Sequence, residues 1–413
     1  MATRFKNLGT KMGAASVAVL LAACGTSNSG EDSASGSGDD AAPVKVGIIN
    51  SYSGAQSLFA KPFETGFKAA IDHYTDGTNT VDGHKIEIVT GDDTGQPATG
   101  TSLAKDMIAE GAQIITGPTL SSVALPVAQT AVENQVLFLA GAAGTTALAG
   151  MSPYVFAMAG YSPAGSPLFK AMLGADTQGK IMADIEQDYA YGQAVSAGNK
   201  ALVEPLGIQY KPFLLPQATT DFTSVALQIK ALKPAFIAEQ WSAGPGKAAL
   251  LQTLTAQGLL DTTKYVATLS TTNNWPDYGA ALGDKLKDVE LGMMYLDEAG
   301  ENDEAKALRE YSETAGSPVD SAGHLVGWMD GAAVVHALKS GGAGDVQKMI
   351  KALEGYSFEG PAGKVTIRNE DHLLIQPGFT IRLAKNGSEF VGTVVKKYTA
   401  DELTPPVVKA VPR

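Results

Sequence analysis

The chain has 413 residues, of which 44% are hydrophobic and 18% are charged, a balance that suits a soluble globular protein of two or three domains. Its formal net charge of −12 argues against nucleic acid as a partner. No apolar run reaches the roughly 18 residues of a membrane-spanning helix, and a single cysteine excludes an intrachain disulfide and a cysteine metal cluster.

The N-terminal residues have the pattern of a secretory signal. Arg4, Lys6 and Lys11 precede a short apolar segment, residues 13–21, and the sequence Leu-Ala-Ala-Cys then ends at Cys24. A positive start, a short apolar core and small residues before the cleavage point define such a signal. Residues 25–43 are rich in Gly, Ser, Asp and Ala and predict a flexible tether.

Alternating strand and helix patterns follow the tether in two series. The first predicts strands over 44–49, 85–89, 113–116 and 136–139, with helices over 62–74, from Pro97 to Gly111, and over 123–134. The second predicts strands over 180–185, 209–213, 235–239 and 265–269, helices over 192–206, 222–232 and 248–257, and a polar loop over 270–278. Such alternation indicates mostly parallel, doubly wound sheets, and two series indicate two lobes.

The last third of the sequence changes character. Helical patterns cover 303–311, 322–338 and 345–353, and strand patterns cover 363–367, 379–383 and 390–397. These three strands predict a closing β segment at the end of the chain.

Two small polar loops occupy the central positions of the first series. Residues 117–122 follow one predicted strand and residues 140–145 follow the next. In open α/β sheets, ligands bind beyond the carboxyl ends of the strands, where both loops lie. Ser121 and Ser122 suit a helix start, whose free N–H groups attract carboxylates. Ser121 is therefore predicted to be either an anion-binding residue or only a helix cap.

The signal, tether and two lobes resemble a type I periplasmic binding protein, in particular the leucine/isoleucine/valine-binding branch of ABC importer lipoproteins. The resemblance covers essentially all of the chain beyond the tether. It rests on these short segments: Val46-Gly47 before Tyr52-Ser53-Gly54, Asp92-Asp93-Thr94, 117–122, 142–145, 188–192, 221–223 and 360–365.

The resemblance implies three crossings between the lobes, near Gly160-Tyr161, near Gly292 to Met294 and near Gly378-Phe379. The first lobe would then hold residues 44–160 and 294–377, and the second lobe 161–293 and 378–413. The ligand would bind in the cleft between them, and the lobes would close on it by a hinge motion.

The resemblance also implies the residues of the ligand site. An amino acid's carboxylate would be held by Ser121, Ala142, Ala143 and Thr145, although the extra Gly144 shifts Thr145. Phe59 would cover the ligand side chain from the first lobe, and Tyr191 matches a second-lobe tyrosine. The second-lobe loop after Glu239 usually places an aromatic residue over the ligand, and Trp241 or Ser242 lies there. The family's acidic partner for the ligand ammonium would fall near Ser270, where this sequence has no acid. Glu239 or Asp277 would have to substitute, or the ligand lacks an amino group, because an unpaired buried ammonium is costly.

Motifs for catalysis are missing from the sequence. None of the five histidines belongs to a His-x-x-x-His pair, and no Gly-Lys-Ser/Thr sequence marks a P-loop. Asp92-Asp93 is compatible with paired carboxylates, but a turn after a strand is the favoured interpretation. We therefore expect no enzyme activity and no cofactor.

The sequence thus predicts an extracytoplasmic, monomeric solute-binding lipoprotein, anchored to the membrane through lipidated Cys24, with ABC permease subunits as partners. Its ligand would be a small polar or carboxylate-bearing solute of the branched-chain amino acid type. The alternative is a ligand-sensing ectodomain that passes its state to a signalling partner.

The first testable prediction concerns Cys24. Cys24→Ala should move the protein from the membrane fraction to the soluble fraction, because the variant has no thiol to carry a lipid. Fractionation followed by immunoblotting measures the change. A variant that stays membrane-bound after its signal has been cleaved would contradict a lipid anchor at this position.

Overall fold

The structure is a computed structural model, and it describes residues 41–54, 56–159, 167–241 and 246–413. The signal, Cys24, most of the tether, the crossing at Gly160-Tyr161 and Ser242 lie outside the described residues. Among the helices that are described, none combines the length and the apolar character needed to cross a membrane.

The strands of the described residues fall into three sheets. In chain order they are β1 (Ala41–Asn50), β2 (Thr80–Val81), β3 (His84–Asp92), β4 (Ala112–Gly117), β5 (Leu137–Ala140), β6 (Val155–Ala157), β7 (Ile181–Gln187), β8 (Gln209–Leu215), β9 (Phe236–Glu239), β10 (Lys264–Leu269), β11 (Leu291–Met293), β12 (Ser357–Gly360), β13 (Gly363–Ile367), β14 (Leu374–Ile375), β15 (Gly378–Asn386) and β16 (Glu389–Tyr398).

The helices connect these strands and cover the sheets. In chain order they are α1 (Ser57–Tyr74), α2 (Pro97–Ala109), α3 (Ser121–Glu133), α4 (Pro167–Leu173), α5 (Ala190–Val203), α6 (Thr223–Leu232), α7 (Gly246–Ala256), α8 (Leu259–Thr262), α9 (Trp275–Leu282), α10 (Asp303–Thr314), α11 (Ala322–Gly341) and α12 (Val346–Leu353).

The two large sheets are mostly parallel, and this confirms the predicted fold class of two doubly wound lobes. The first sheet has the order β2-β3-β1-β4-β5-β6 and the second β16-β15-β11-β10-β9-β7-β8. In the first, the chain goes from β1 to β3 on one side and then to β4 on the other, so the order reverses between β1 and β4. In the second, it reverses between β7 and β9. A reversal opens a crevice at the carboxyl ends of the strands.

The closing β segment is divided between two sheets. Strand β13 belongs to a small antiparallel sheet with β12 and β14, whereas β15 and β16 extend the second large sheet in antiparallel fashion. The chain therefore leaves the second sheet after β11 and re-enters it at β15.

The polar loop that we predicted over residues 270–278 is partly wrong. The structure has a short 3-10 helix followed by α9, which begins at Trp275. Pro276 stands in the first turn of α9, where its missing N–H costs nothing. Trp275 and Tyr278 are buried, and their burial stabilises a helix that the polar residues before them did not suggest.

The C-terminal residues return toward the small sheet. The Arg368 guanidinium donates to the Pro405 carbonyl (2.6 Å) and forms an ion pair with Asp371 (2.7 Å). The Val408 N–H donates to Asp371 Oδ2 (3.1 Å), and the Val411 N–H donates to the Glu370 carbonyl (2.8 Å). Residues that we assigned to the second lobe thus contact residues 368–371, which we assigned to the first, and the lobe boundaries stay a prediction.

Helices α1 and α11 pack with their backbones in close approach. A Cβ on Gly327 would lie 2.0 Å from the Phe63 carbonyl oxygen, and a Cβ on Gly331 would lie 2.5 Å from that of Phe67. Glycine is therefore the only residue that fits these positions of α11 at the observed separation. This packing holds α11 against α1, the first helix of the described chain. In chain order, α11 comes after β11 of the second sheet.

The second prediction tests this contact by the direction in which a glycine substitution changes the stability of the folded protein. Gly327→Ala should stabilise an isolated helix by about 1 kcal/mol. In the folded protein, we expect it to lower the free energy of unfolding by about 1–3 kcal/mol, because the helices must separate. Urea unfolding measures the difference, with the exposed Ser340→Ala on the same helix as a control that should stay within about 0.5 kcal/mol. An unchanged or more stable Gly327→Ala protein would contradict the close packing.

Candidate ligand-binding site

A cavity of about 130 Å³ lies where loops from the carboxyl ends of the two large sheets face each other. Both strand-order reversals contribute to it, because it is lined by residues that follow β4, β7 and β9. Its described lining residues are Gln56, Phe59, Thr119, Ser121, Ala142, Gly144, Ala159, Tyr189, Tyr191, Gln240, Trp241, Thr268, Leu269, Ser270, Met294, Ala322, Gly323 and Val326.

The structure brings most of the predicted site residues together at this cavity. They are Phe59, Ser121, Ala142, Tyr191, Trp241 and Ser270. Ala143 and Thr145 lie outside it and line a separate cavity behind the loop. The inserted Gly144 takes the place at the ligand cavity, while the Thr145 hydroxyl accepts from the Ala147 N–H (3.4 Å) at the start of a short 3-10 helix.

Ser121 is the first residue of α3, and its side chain does not cap the helix. The residue before the helix is Leu120, and Ser121 Oγ has no hydrogen-bond partner although the residue is only 1% exposed. The first N–H groups of a helix also lack partners within the helix. This geometry disfavours the interpretation of Ser121 as a simple cap, and it leaves its hydroxyl and the helix start available to an anion in the cavity.

A buried carboxyl group, that of Asp330, packs behind the loop formed by residues 140–145. Asp330 of α11 accepts a hydrogen bond from the Thr116 hydroxyl at the end of β4. A Cβ on Gly141 would lie 2.7 Å from Asp330 Oδ2, so this carboxyl packs directly against the backbone next to Ala142. Burial raises the pKa of Asp330 well above its ordinary range.

The second sheet contributes an aromatic wall. The rings of Tyr189 and Tyr191 lie 5.9 Å apart at the start of α5, and a Cβ on Gly144 would lie 2.8 Å from the Tyr191 ring. Trp241 packs edge-on against Phe222 at 5.1 Å and is only 4% exposed. Tyr191 thus reaches across to the loop that carries Ala142.

Glu239, one of the two acids proposed to replace the missing ammonium partner, is engaged elsewhere. Its Oε1 accepts from the Lys247 ammonium and from the hydroxyls of Tyr265 (2.8 Å) and Tyr278 (3.1 Å). Its Oε2 accepts a hydrogen bond from the backbone N–H of Trp241 (3.1 Å). The acid therefore fixes the start of the Trp241 loop, and the suggestion that it pairs with a ligand ammonium is not supported.

Among the described residues, the cavity lining contains no Asp, Glu, Lys, Arg or His, and Asp277 is therefore absent from it as well. The undescribed residues 55, 160–166 and 242–245 contain no Asp, Glu, Lys, Arg or His in sequence. Within the described chain, no cluster of His, Cys, Asp and Glu is suited to a metal ion. The polar groups at the cavity are hydroxyls, amides and backbone.

Asp92 and Asp93 form the turn that was the favoured interpretation. Asp93 Oδ1 accepts from the Ser51 hydroxyl (2.6 Å) and from the Gly95 N–H (2.7 Å). Asp92 Oδ1 accepts from the N–H groups of Tyr52 (3.0 Å) and Thr94 (2.9 Å). Both acids thus join the loops after β1 and β3.

Several lining residues were not predicted from sequence. Gln240 follows directly after the predicted strand 235–239, so its position at a carboxyl end was a usable signal. No sequence signal indicates that α11 begins at the cavity, where Ala322, Gly323 and Val326 form part of the wall. Hydrogen bonds between loops place this helix start, as the Ala322 N–H donates to the Ser270 carbonyl (2.7 Å).

Comparison with known proteins agrees with this architecture. The family model described as "Periplasmic binding protein" matches residues 43–388. The chain belongs to this family. Family membership makes it a solute-binding protein of the type used by ABC transporters, outside the enzyme families, and implies an extracytoplasmic location.

One relative of this family member is distant in sequence but matches most of its length. It is 25% identical to the Leu/Ile/Val-binding protein homolog 6 of Brucella melitensis over 349 residues, which are 83% of this chain and 88% of the relative.

Solved structures show the same fold. An ABC-type branched-chain amino acid transporter protein of Rhodopseudomonas palustris is 25% identical, with a TM-score of 0.72 over 89% of this chain and 99% of that one. A solute-binding protein of an R. palustris ABC transporter, solved in complex with 4-hydroxybenzoate, is 24% identical, with a TM-score of 0.75 over 86% of this chain and 97% of that one.

The third prediction concerns the buried carboxyl behind the site. Because burial raises the pKa of Asp330, the folded protein keeps a proton that the unfolded chain releases above about pH 4. The contribution of this group to the free energy of unfolding therefore falls as the pH rises from about 4 toward the raised pKa, by up to about 1.4 kcal/mol per pH unit.

Asp330→Asn removes this titration while it keeps the shape of the side chain. The variant should gain stability relative to the parent as the pH rises above about 4, measured by urea unfolding at several pH values. The exposed Asp401→Asn serves as a control. A stability difference that is constant with pH would show that Asp330 is ionised in the folded protein.

Proposed function

We propose that the protein captures a small carboxylate that lacks a charged amino group and delivers it to an ABC importer. The observation that carries this proposal is the cavity between the sheets, whose described lining includes donors such as Ser121 but no acid. A bound amino acid would bury its ammonium without a counter-charge, at considerable cost in free energy. A carboxylate alone would meet the hydroxyl and the N–H groups at the start of α3.

The remaining lining residues suit an apolar ligand body. Phe59, Trp241 and Val326 surround the space between the two sheets. The fold neighbour that binds 4-hydroxybenzoate supports an aromatic acid as one possible ligand. Branched 2-oxo acids combine the same carboxylate with an aliphatic body, in keeping with the Leu/Ile/Val-binding relatives.

In this proposal, the protein acts at the membrane surface as a monomer and has no catalytic activity of its own. Cys24 would carry the lipid anchor, and residues 25–43 would let the folded part reach the permease subunits. The transporter names of its relatives favour import over sensing. The absence of a base beside Ser121 in the described cavity lining favours binding over hydrolysis.

A thermal-shift panel tests the ligand class. The probes are leucine, its 2-oxo acid 4-methyl-2-oxopentanoate, benzoate and 4-hydroxybenzoate. A ligand present at 100 times its Kd stabilises the folded protein by about 2.7 kcal/mol. We expect a rise in Tm with at least one of the acids that lack an amino group, and little change with leucine. Strong stabilisation by leucine alone would overturn the proposal.

The fourth prediction locates the carboxylate. Ser121→Ala should weaken the best ligand of the panel about tenfold to a hundredfold, because a hydrogen bond to a charged group contributes about 1.5–3 kcal/mol. Ala142→Leu should weaken it further by filling the cavity, and Trp241→Ala should lower affinity through lost apolar contact. Isothermal titration measures all three.

The neighbouring Ser122→Ala provides a matched control, since Ser122 occupies the same helix turn but does not line the cavity. Its affinity should equal that of the parent. If Ser121→Ala and Ala142→Leu also bind like the parent, the ligand does not occupy the space between these loops.

A further inference from the structure

Gln240 is a buried polar residue at the second-sheet side of the cavity. It follows β9, is 5% exposed, and accepts a hydrogen bond at Oε1 from the Thr268 hydroxyl of the neighbouring strand β10. Its Nε2 has no hydrogen-bond partner among the described residues. The amide is thus held at its oxygen end, and its N–H groups are left for a partner in the cavity.

An unpartnered buried N–H is uncommon in folded proteins, because it loses its hydrogen bonds to water without replacement. Only two of the described lining residues have a buried side-chain polar atom without a partner, and these are Ser121 and Gln240. Ser121 begins a helix of the first sheet, whereas Gln240 follows a strand of the second. The site therefore presents one unpaired donor on each side.

The space between these two donors has apolar walls and limited size. Phe59, Leu269 and Met294 are among the lining residues. The cavity volume of about 130 Å³ is close to the roughly 150 Å³ that accommodates one benzene molecule in an engineered protein cavity. A single ring or a short aliphatic chain fits such a volume.

The group that Gln240 meets should be an uncharged oxygen. The described lining of the cavity contains no cation, and Lys247, the first cation after Gln240 in sequence, is itself buried and paired with Glu239. A second carboxylate at Gln240 would thus have no free cation to neutralise it, and burial of an unpaired charge is costly. A hydroxyl or carbonyl oxygen accepts from the Gln240 amide without this cost.

We propose that Gln240 selects ligands with a second, uncharged oxygen at the end opposite the carboxylate, so that the substrates are compact hydroxy- or oxo-substituted monocarboxylates. This inference rests on the proposed function, since it takes Ser121 as the carboxylate site. It adds that the second sheet recognises a particular group of the ligand rather than providing only apolar cover.

Matched ligand pairs test the role of Gln240. The first pair is benzoate and 4-hydroxybenzoate, and the second is hexanoate and 5-oxohexanoate, which differ only in the second oxygen. In the parent protein, we expect the substituted member of at least one pair to bind about tenfold more tightly by isothermal titration. In Gln240→Met, which removes the donor and keeps the side-chain length, that ratio should fall to about one while the affinity for the unsubstituted acid is retained.

Two further variants separate recognition from structural effects. The Gln240→Glu variant should bind 5-oxohexanoate less tightly than hexanoate, because the introduced side-chain carboxylate cannot donate a hydrogen bond to the ligand's carbonyl oxygen. The exposed Gln228→Met should keep the parent's ratio. Melting temperatures establish that each variant is folded.

The outcomes distinguish this inference from the proposed function. If the unsubstituted acids bind and Gln240→Met keeps the parent's ratio, or if the parent shows no preference in either pair, the role of Gln240 is overturned and the carboxylate site stands. If Ser121→Ala weakens both members of a pair equally while Gln240→Met weakens only the substituted one, both are supported. If 4-methyl-2-oxopentanoate binds and none of these four acids does, the role of Gln240 is overturned and the proposed function stands, because that acid carries its extra oxygen beside the carboxylate. If no acid of either set binds, the proposed function fails and this inference fails with it.

Discussion

The close packing of α11 against α1 is the constraint on which the site depends. The two helices are far apart in sequence, and glycines such as Gly327 allow their backbones to touch. This contact fixes three parts of the site at once. Phe59 stands near the start of α1, Val326 lies in the second turn of α11, and Asp330 one turn later supports the loop that carries Ala142. A side chain between the helices would displace all three.

The second sheet fixes its part of the site with buried charge instead of close backbone contact. Glu239 ends β9 and is surrounded by the Lys247 ammonium and two tyrosine hydroxyls, while it also accepts from the Trp241 N–H. Burial, strengthened by the charge of Glu239, raises the pKa of Tyr265 and Tyr278 well above the ordinary range. Removal of the Lys247 ammonium would leave the buried charge of Glu239 unpaired, which commonly costs about 3–5 kcal/mol. Glu239, which directly precedes the cavity residue Gln240 in sequence, is therefore a structural residue.

The two sides of the cavity thus have complementary chemistry. The first sheet offers a helix start and a small-residue loop, which suit a compact anion. The second sheet offers rings and the Gln240 amide, which suit an apolar body with an oxygen at its far end. Since each side carries one unpaired donor, a ligand that satisfies both would bridge the two sheets.

The sequence by itself determined the fold class, the two loops of the first sheet and six of the cavity residues. The fold class and the two loops, with Ser121 and Ala142, follow from local patterns, because strand–helix alternation and small polar residues after an apolar strand depend only on neighbours in the chain. The resemblance to periplasmic binding proteins implied the other four residues, Phe59, Tyr191, Trp241 and Ser270. The tertiary structure alone decided which acids remained available. Glu239 looked free in sequence because its partners, Lys247, Tyr265 and Tyr278, come from three separate elements. It also decided that α11 begins at the cavity, that Thr145 turns away from it, and that Gln240 keeps an unpaired donor. Each of these depends on contacts between residues distant in sequence, which no local pattern records.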